Sequence, residues 1–352
     1  MNTLVKMLSQ FVKKMLNTYN QIKRFMMKII ILLSIILANI SSTQASVITG
    51  TCGSGLTWSL NTKDSTLTIE GSGNMATYED SSNKRAPWYE YKTYIAYINF
   101  PAGLRNIGNT AFYYCENLKT VNIPNTVTKI GRRAFDCCYS LISVNIPNSV
   151  TTIEGMAFRD CHKLYSVVIP NSVTILEGSA FYACTNLTSV TISQSITNIE
   201  DFTFRICTHL KNIEIPDNVT SIGQEAFHRC LELESVVIGN SIRSVGKEAF
   251  SECDKLKSIT CKATTPPSCG SDPFKYITNI KSIKLYVPEE SVETYSNALW
   301  WEDLTILPIG AEQEAIGNIN VNITHPQKIL KDGQIVIEQG NKIYTLQGQK
   351  VQ

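Results

Sequence analysis

The chain has 352 residues, 43% of them apolar, with 32 basic and 30 acidic side chains and a formal net charge of +2. That is enough apolar residue for a substantial core or several modules. Beyond residue 45 there is no basic block, so the phosphate-neutralising surface that nucleic-acid binding requires is excluded.

The first segment reads as a leader and not as part of a fold. In "MKIIILLSIILANISSTQA" (27–45), Lys28 precedes an apolar run from Ile29 to Leu37, interrupted only by Ser34. Thr43 and Ala45 supply small residues at the −3 and −1 positions, the pattern of a cleaved secretory signal. The run is shorter than the roughly 20 residues needed to span a bilayer, so the mature chain is expected to have no stable membrane span. Residues 1–26 make a long leader, and translation is expected to start at Met26 or Met27. Residues 1–45 carry six basic residues and no acid, which leaves 26 basic against 30 acidic and a net of −4.

A strict repeat follows. Phe112, Phe135, Phe158, Phe181, Phe204, Phe227 and Phe250 are spaced by 23 residues, with a Cys three residues after each and a Leu three further on. A fixed period in this range signals stacked supersecondary units. In "LYSVVIPNSVTILEGSAFYAC" (164–184), Val167 and Ile169 alternate with Val168, the mark of a short strand with one buried face. Pro170-Asn171 turns the chain, and Val173 and Leu176 point back inward. A tight turn follows, with Gly108, Gly131, Gly223 and Gly246 there in several copies. Ala180, Phe181 and Cys184 close the coil, as one helical or 3₁₀ turn. One coil cannot bury these residues alone, so the expected fold is a repeat solenoid, mostly β, with a Phe spine inside. The last coil departs from the period, because Phe274 comes 24 residues after Phe250. Phe274 is therefore expected to be less enclosed than Phe181.

The repeated cysteines, Cys115 to Cys253, read as buried apolar thiols, since equivalent side chains of stacked coils point the same way and not at each other. Cys52, Cys137, Cys261 and Cys269 stand outside the column, and Cys261 and Cys269, flanking "KATTPPS", are the pair best placed for a bridge. Cys161 lies beside His162, but histidine does not recur at that slot. His162, His209, His228 and His325 show no metal spacing, and no CxxC occurs. "GTCGSGLTW" (50–58) lacks the Lys-Ser/Thr ending of a phosphate loop. Glu154, Glu177 and Glu200 recur at 23 residues and read as a solvated turn column. No catalytic residue, metal ligand or cofactor site is assigned, and the chain is not expected to be an enzyme.

The outward strand positions vary on a constant frame, which suits recognition by a broad surface. The candidate ligand-binding residues are Asn122, Ile142, Asn145, Tyr165, Val168, Thr191 and Glu214. Among them Ile142, Tyr165 and Val168 are apolar where polar groups are expected.

"IPNSVTTIEGMAFRDCHKLYSVVIPNSVT" resembles the BspA-like leucine-rich repeat of bacterial surface proteins, found also in some protozoan surface proteins. The resemblance covers about 50–308. It implies a β-rich N-terminal cap (46–98), repeats over 99–262, and an irregular last repeat with a C-terminal cap (263–308). Residues 309–325 read as a linker. Residues 326–352 alternate Ile335, Ile337 and Ile343 around turn signals, as a small antiparallel β unit does. This tail is similar to C-terminal tails of exported proteins of Bacteroides-like bacteria, some of which direct export. The resemblance implies display at the cell surface or release, and adhesion to an extracellular protein such as a host matrix protein. Capture of a glycan or peptide for nutrition is the alternative; a glycan is disfavoured because Tyr165 is the sole outward aromatic.

Overall fold

The computed structural model describes residues 11, 13–19, 21–29, 47–81 and 83–311, and the backbone of strands Gln327–Lys331, Gln334–Gln339, Lys342–Thr345 and Lys350–Val351. Most of the expected signal segment lies outside the described residues, as does most of the expected linker. Residues 13–19 and 21–29 are helical, and among the described residues no helix is long and apolar enough to cross a membrane. The four tail strands pair antiparallel in sequence order.

From 97 onward the chain winds as a β solenoid of about nine turns. Coils 1 to 8 each carry a first strand, a turn, a second strand and a corner, whereas in coil 9 the first strand leads into helix Val292–Ser296 and a last strand Thr305–Pro308. The first strands are Tyr97–Asn99 in coil 1, Thr120–Asn122 in coil 2, Ser143–Asn145 in coil 3, Ser166–Val168 in coil 4 and Ser189–Thr191 in coil 5. Coils 6 to 9 continue with Asn212–Ile215, Ser235–Ile238, Ser258–Cys261 and Lys284–Val287. Equivalent residues pair in parallel from coil to coil, as Val167 does with Val190 and Ile213 with Val236. The 23-residue period therefore becomes an in-register stack, and every inward apolar position lands on its own equivalent.

The Phe column forms the expected spine. From Phe112 to Phe274 successive rings stack 5.2–6.0 Å apart, with planes within 15° of parallel. A tryptophan closes each end. Trp88 stacks on Phe112 at 5.5 Å, and its Nε1 donates to Ala111 O at 2.7 Å. Trp301 meets Phe274 edge-on at 5.7 Å, and its Nε1 donates to Pro267 O at 2.9 Å. Each indole covers the spine while its polar edge finds a carbonyl, as buried tryptophan requires. Phe274 is consequently only 2% exposed, against 0% for Phe181, so the irregular last coil encloses it almost as fully. At the N-terminal end, strands Val47–Gly53, Leu56–Asn61 and Thr66–Asn74 form an antiparallel meander. The last of these pairs with both Tyr97–Asn99 and Gly103–Ile107, so one strand starts both ladders.

The corner has the i→i+3 bonds of a 3₁₀ turn, such as Ala157 N to Glu154 O at 3.2 Å and Arg159 N to Met156 O at 3.1 Å. It is not a helix, because two residues in each coil are left-handed: Met156 and Asp160, then Ser179 and Ala183, all with φ between 55° and 60°. Left-handed backbone costs an L-residue roughly 1–2 kcal/mol. The return is that alternate N–H groups leave the coil and bond the next one: Met156 N to Gly178 O at 3.2 Å, Phe158 N to Ala180 O at 2.8 Å and Asp160 N to Tyr182 O at 2.8 Å.

The Cys column adds a further link. Cys138, Cys161, Cys184, Cys207, Cys230 and Cys253 each donate an S–H bond, 3.2–3.4 Å long, to the Phe carbonyl of the coil below. The column is fully buried and none of these thiols is bridged. Cys261 and Cys269 are also free: Cys261 lies in a first strand and accepts from Tyr295 Oη at 3.2 Å, while Cys269 belongs to the second-strand ladder.

Candidate recognition face

The outward side of the first strands forms one face. Asn122 lies opposite Asn145, and Val168 opposite Thr191. Tyr165 N–H donates to Ile142 O at 3.2 Å, which places these two exposed side chains on neighbouring coils. Ile142, Tyr165 and Val168 are 51%, 61% and 62% exposed, so three large apolar groups meet water on adjacent coils. Around them Asn122, Ser143, Asn145, Ser166, Ser189 and Thr191 are exposed and polar. An apolar centre within a polar surround is the anatomy of a binding surface. Glu214 is exposed in the same column, across a step without strand pairing like the one between Ser143–Asn145 and Ser166–Val168. Its strand pairs with Ser235–Ile238, and among the described residues it has no strand pairing with Ser189–Thr191. Further up the face closes: Val237 and Thr260 are half-buried, and Tyr286, opposite Thr260, is buried. This buried outward tyrosine was not singled out from sequence, because it falls in the irregular last coil.

The corner side carries the titratable groups. Cys161 is buried inside, whereas His162 lies outside, stacked on Tyr139 at 5.0 Å with Nε2 3.5 Å from Asp160 Oδ1. The two neighbours in sequence thus face opposite sides, and no thiol–imidazole pair forms. Burial pushes the Cys230 thiol up to about 12 and lifts the other column thiols well above their ordinary range, the reverse of what a nucleophilic cysteine needs. Asp136, Cys137 and Asp160 bring ligand-type atoms within 4.8 Å of one another. Both oxygens of the buried Asp136 are taken by guanidinium groups, Arg133 Nε at 2.7 Å and Arg159 Nε at 2.9 Å. Burial raises the Cys137 thiol to about 11, so it is a poor thiolate ligand. The cluster is an ion-pair node that fastens coil 2 to coil 3.

The stacked parallel coils, Phe spine and exposed first-strand face define a leucine-rich-repeat solenoid. A family model for the BspA type leucine rich repeat region matches residues 87–210 and 174–305 with six copies. The chain belongs to the BspA-type leucine-rich repeat family. Among solved structures it is similar to a leucine-rich repeat protein from Bacteroides ovatus, with 23% identity over 72% of this chain and 75% of that one and a TM-score of 0.50. It is also similar to a leucine-rich repeat protein from Eubacterium ventriosum, with 20% identity over 75% and 85% of the two chains and a TM-score of 0.41. A leucine rich cell surface protein from Faecalibacterium prausnitzii is 21% identical over 61% of this chain and 95% of its own, with a TM-score of 0.28. At these identities the likeness is one of fold. No curated protein matches.

Proposed function

We propose that the protein is an exported, non-enzymatic recognition module of the cell surface that binds an extracellular protein through the first-strand face of coils 2 to 5. The observation that carries this reading is the exposed cluster of Ile142, Tyr165 and Val168 within a polar frame. A few residues near the centre of an interface, tyrosine prominent among them, carry most of its binding energy. Tyr165 is the anchor, Val168 and Ile142 its apolar neighbours, and Asn122, Asn145 and Thr191 the polar surround. A host matrix protein is the partner class the family suggests, and the Ser/Thr/Asn frame suits polar contact around an apolar centre.

The test is a binding screen of the full chain against matrix proteins, mucins and glycans, repeated with Tyr165→Ala combined with Val168→Ser. The double variant should weaken binding to the selected ligand at least ~10-fold, the effect of losing a hot-spot aromatic. Its melting temperature should hold, because neither side chain is in the core. Unchanged affinity in the folded variant would sink this placement of the site.

A further inference from the structure

The second-strand ladder contains one interrupted step. Below it, Thr174 N bonds Thr151 O at 3.0 Å and Glu177 N bonds Ile153 O at 3.0 Å. Above it, Thr220 N bonds Thr197 O at 2.7 Å and Gly223 N bonds Ile199 O at 2.7 Å. Between coils 4 and 5 the equivalent bonds, Thr197 N to Thr174 O and Glu200 N to Leu176 O, are missing among the described residues, and strands Ile175–Leu176 and Asn198–Ile199 do not pair. A side-chain link is lost as well. Arg132 N and Gly155 N each donate to a glutamate of the following coil, Glu154 at 2.9 Å and Glu177 at 2.7 Å, but Gly178 N makes no such bond to Glu200.

The opening is local. The same two coils remain joined by their first strands and by the corner bonds Ser179 N to Asp201 O at 2.9 Å and Phe181 N to Thr203 O at 3.0 Å. A sequence change accompanies it. Pro124, Pro147, Pro170 and Pro216 each accept the N–H three residues on, closing the turn after the first strand, but coil 5 has Ser193 there and coil 7 has Gly239, and of these two only coil 5 also loses a second-strand pairing. Ser193 Oγ instead reaches back to Val173 O at 2.7 Å, and the turn bond to Ile196 is absent. A cleft of about 460 Å³ lies between the two second strands. That is within the ~300–1,000 Å³ of small ligand sites.

We infer that this cleft between coils 4 and 5 is a second binding site, one that takes a short extended peptide carrying a basic side chain. One wall offers the carbonyls of Thr174 and Leu176, and the other the N–H groups of Thr197 and Glu200. An extended backbone offers C=O groups to the Thr197 and Glu200 N–H groups, and so completes the ladder on that wall. Glu177 and Glu200 both line the cleft, and both are exposed. The Glu200 carboxylate, without the N–H that its equivalents hold, faces an incoming ammonium or guanidinium. Exposed Ile175, where the neighbouring coils have Thr152 and Asn198, gives an apolar contact for a strand side chain. This site is separate from the first-strand face, and each stands or falls without the other.

The test is residue-resolved amide hydrogen exchange on the full chain, with the capped pentapeptide Thr-Val-Lys-Val-Thr as the probe. In the free protein, the Thr197 and Glu200 amides should exchange far faster than Thr174, Glu177, Thr220 and Gly223, their periodic equivalents. Equal protection would show the ladder closed and overturn the inference. At saturation the peptide should slow both amides about 100-fold, the factor expected at about 100 times its Kd. A version N-methylated at alternate amides should have no effect, and so should a chito-oligosaccharide. No slowing at the peptide's solubility limit, equal slowing by the methylated peptide, or slowing by the sugar alone would each overturn it. Glu200→Gln should lower affinity for the lysine peptide about 2–5-fold, as loss of an exposed ion pair does, and leave a norleucine analogue unaffected. Ser193→Pro should restore the turn, protect both amides and abolish peptide binding. Continued peptide binding by Ser193→Pro with both amides protected would also overturn it.

Discussion

In coils 6 to 8 the first strands run four residues and join a continuous five-stranded sheet, whereas in coils 2 to 5 they run three and pair two by two. Both halves share one interior of Phe, Cys and Leu columns, all buried. The interior therefore does not decide the difference. Outside, the lower half exposes Asn122, Asn145, Val168 and Thr191, while in the upper half Val237 and Thr260 are half-buried and Tyr286, opposite Thr260, is buried. Coil 5 is the hinge between the regimes: its first strand pairs only with coil 4 and its second strand only with coil 6. A solenoid thus holds its register through stacked side chains and can leave backbone ladders incomplete. The incomplete half carries both the exposed apolar face and the cleft.

The largest effect should come from the shared interior. Phe181→Ala and Phe274→Ala should each cost about 3–5 kcal/mol in a urea titration, since both rings are fully enclosed and the second is covered by Trp301. A loss at Phe274 under about 1 kcal/mol would mean that the upper end is open after all.

The halves should separate at a single buried corner column. Asp136 in coil 2 neutralises two arginines from a buried position, so Asp136→Ala should cost about 3 kcal/mol. The same position in coil 7 is Ser251, whose hydroxyl makes one bond to Lys275 O at 3.0 Å. Ser251→Ala should cost about 1 kcal/mol. Equal melting shifts for the two variants would remove the ion-pair node as a distinctive feature of the lower half.

The thiol bonds should then show the halves to be alike. Cys184→Ala and Cys253→Ala each delete one 3.2 Å S–H bond to a Phe carbonyl, and each should cost about 1 kcal/mol. Neither thiol should alkylate at pH 8 in the folded protein, because burial holds both far above their ordinary pKa. Mass spectrometry of the native alkylated chain checks this.

The smallest effect belongs to the upper half alone. Burial, aided by Arg205, lowers the pKa of His228 below its usual 6.5. The folded state then binds fewer protons than the unfolded chain, so this contribution is intact above pH 6.5 and is lost as pH falls below that value. The melting temperature should decline across that window, and His228→Gln should flatten the decline. An unchanged slope in the variant would assign the pH dependence to other groups.

The period, the Phe spine and the buried thiols were legible because each repeats at a fixed spacing and each has one apolar destination. The left-handed corner positions were not legible, since Thr, Arg, Met, Phe and Glu occupy them as readily as small residues do. Intercoil bonding imposes that backbone and not local propensity, so no glycine marks it. The tryptophans at the spine's ends escaped notice for a different reason: each occurs once and has no periodic partner. The outward candidates were found by their columns, and Ile142, Tyr165 and Val168 are exposed as the alternation requires. The cleft had one faint sign, Ser193 in a column that is Pro in the coils on either side. Its consequence depends on hydrogen bonds that no single-position reading supplies.

The thiol column makes unfolding a one-way event in an oxidising medium. While the stack is closed, the seven column thiols and the four other cysteines are unbridged, ten of the eleven buried, and none needs a partner. Once coils part, the same thiols become mobile and mutually reactive, with many wrong pairings open to them and no native pairing to return to. Each wrong bridge joins coils that must otherwise stack in parallel, so the chain cannot rewind. The lifetime of the protein outside a reducing compartment is then set by how rarely the coils separate, a rate and not an equilibrium. The tryptophan at each end guards that rate, because a stack frays from its ends.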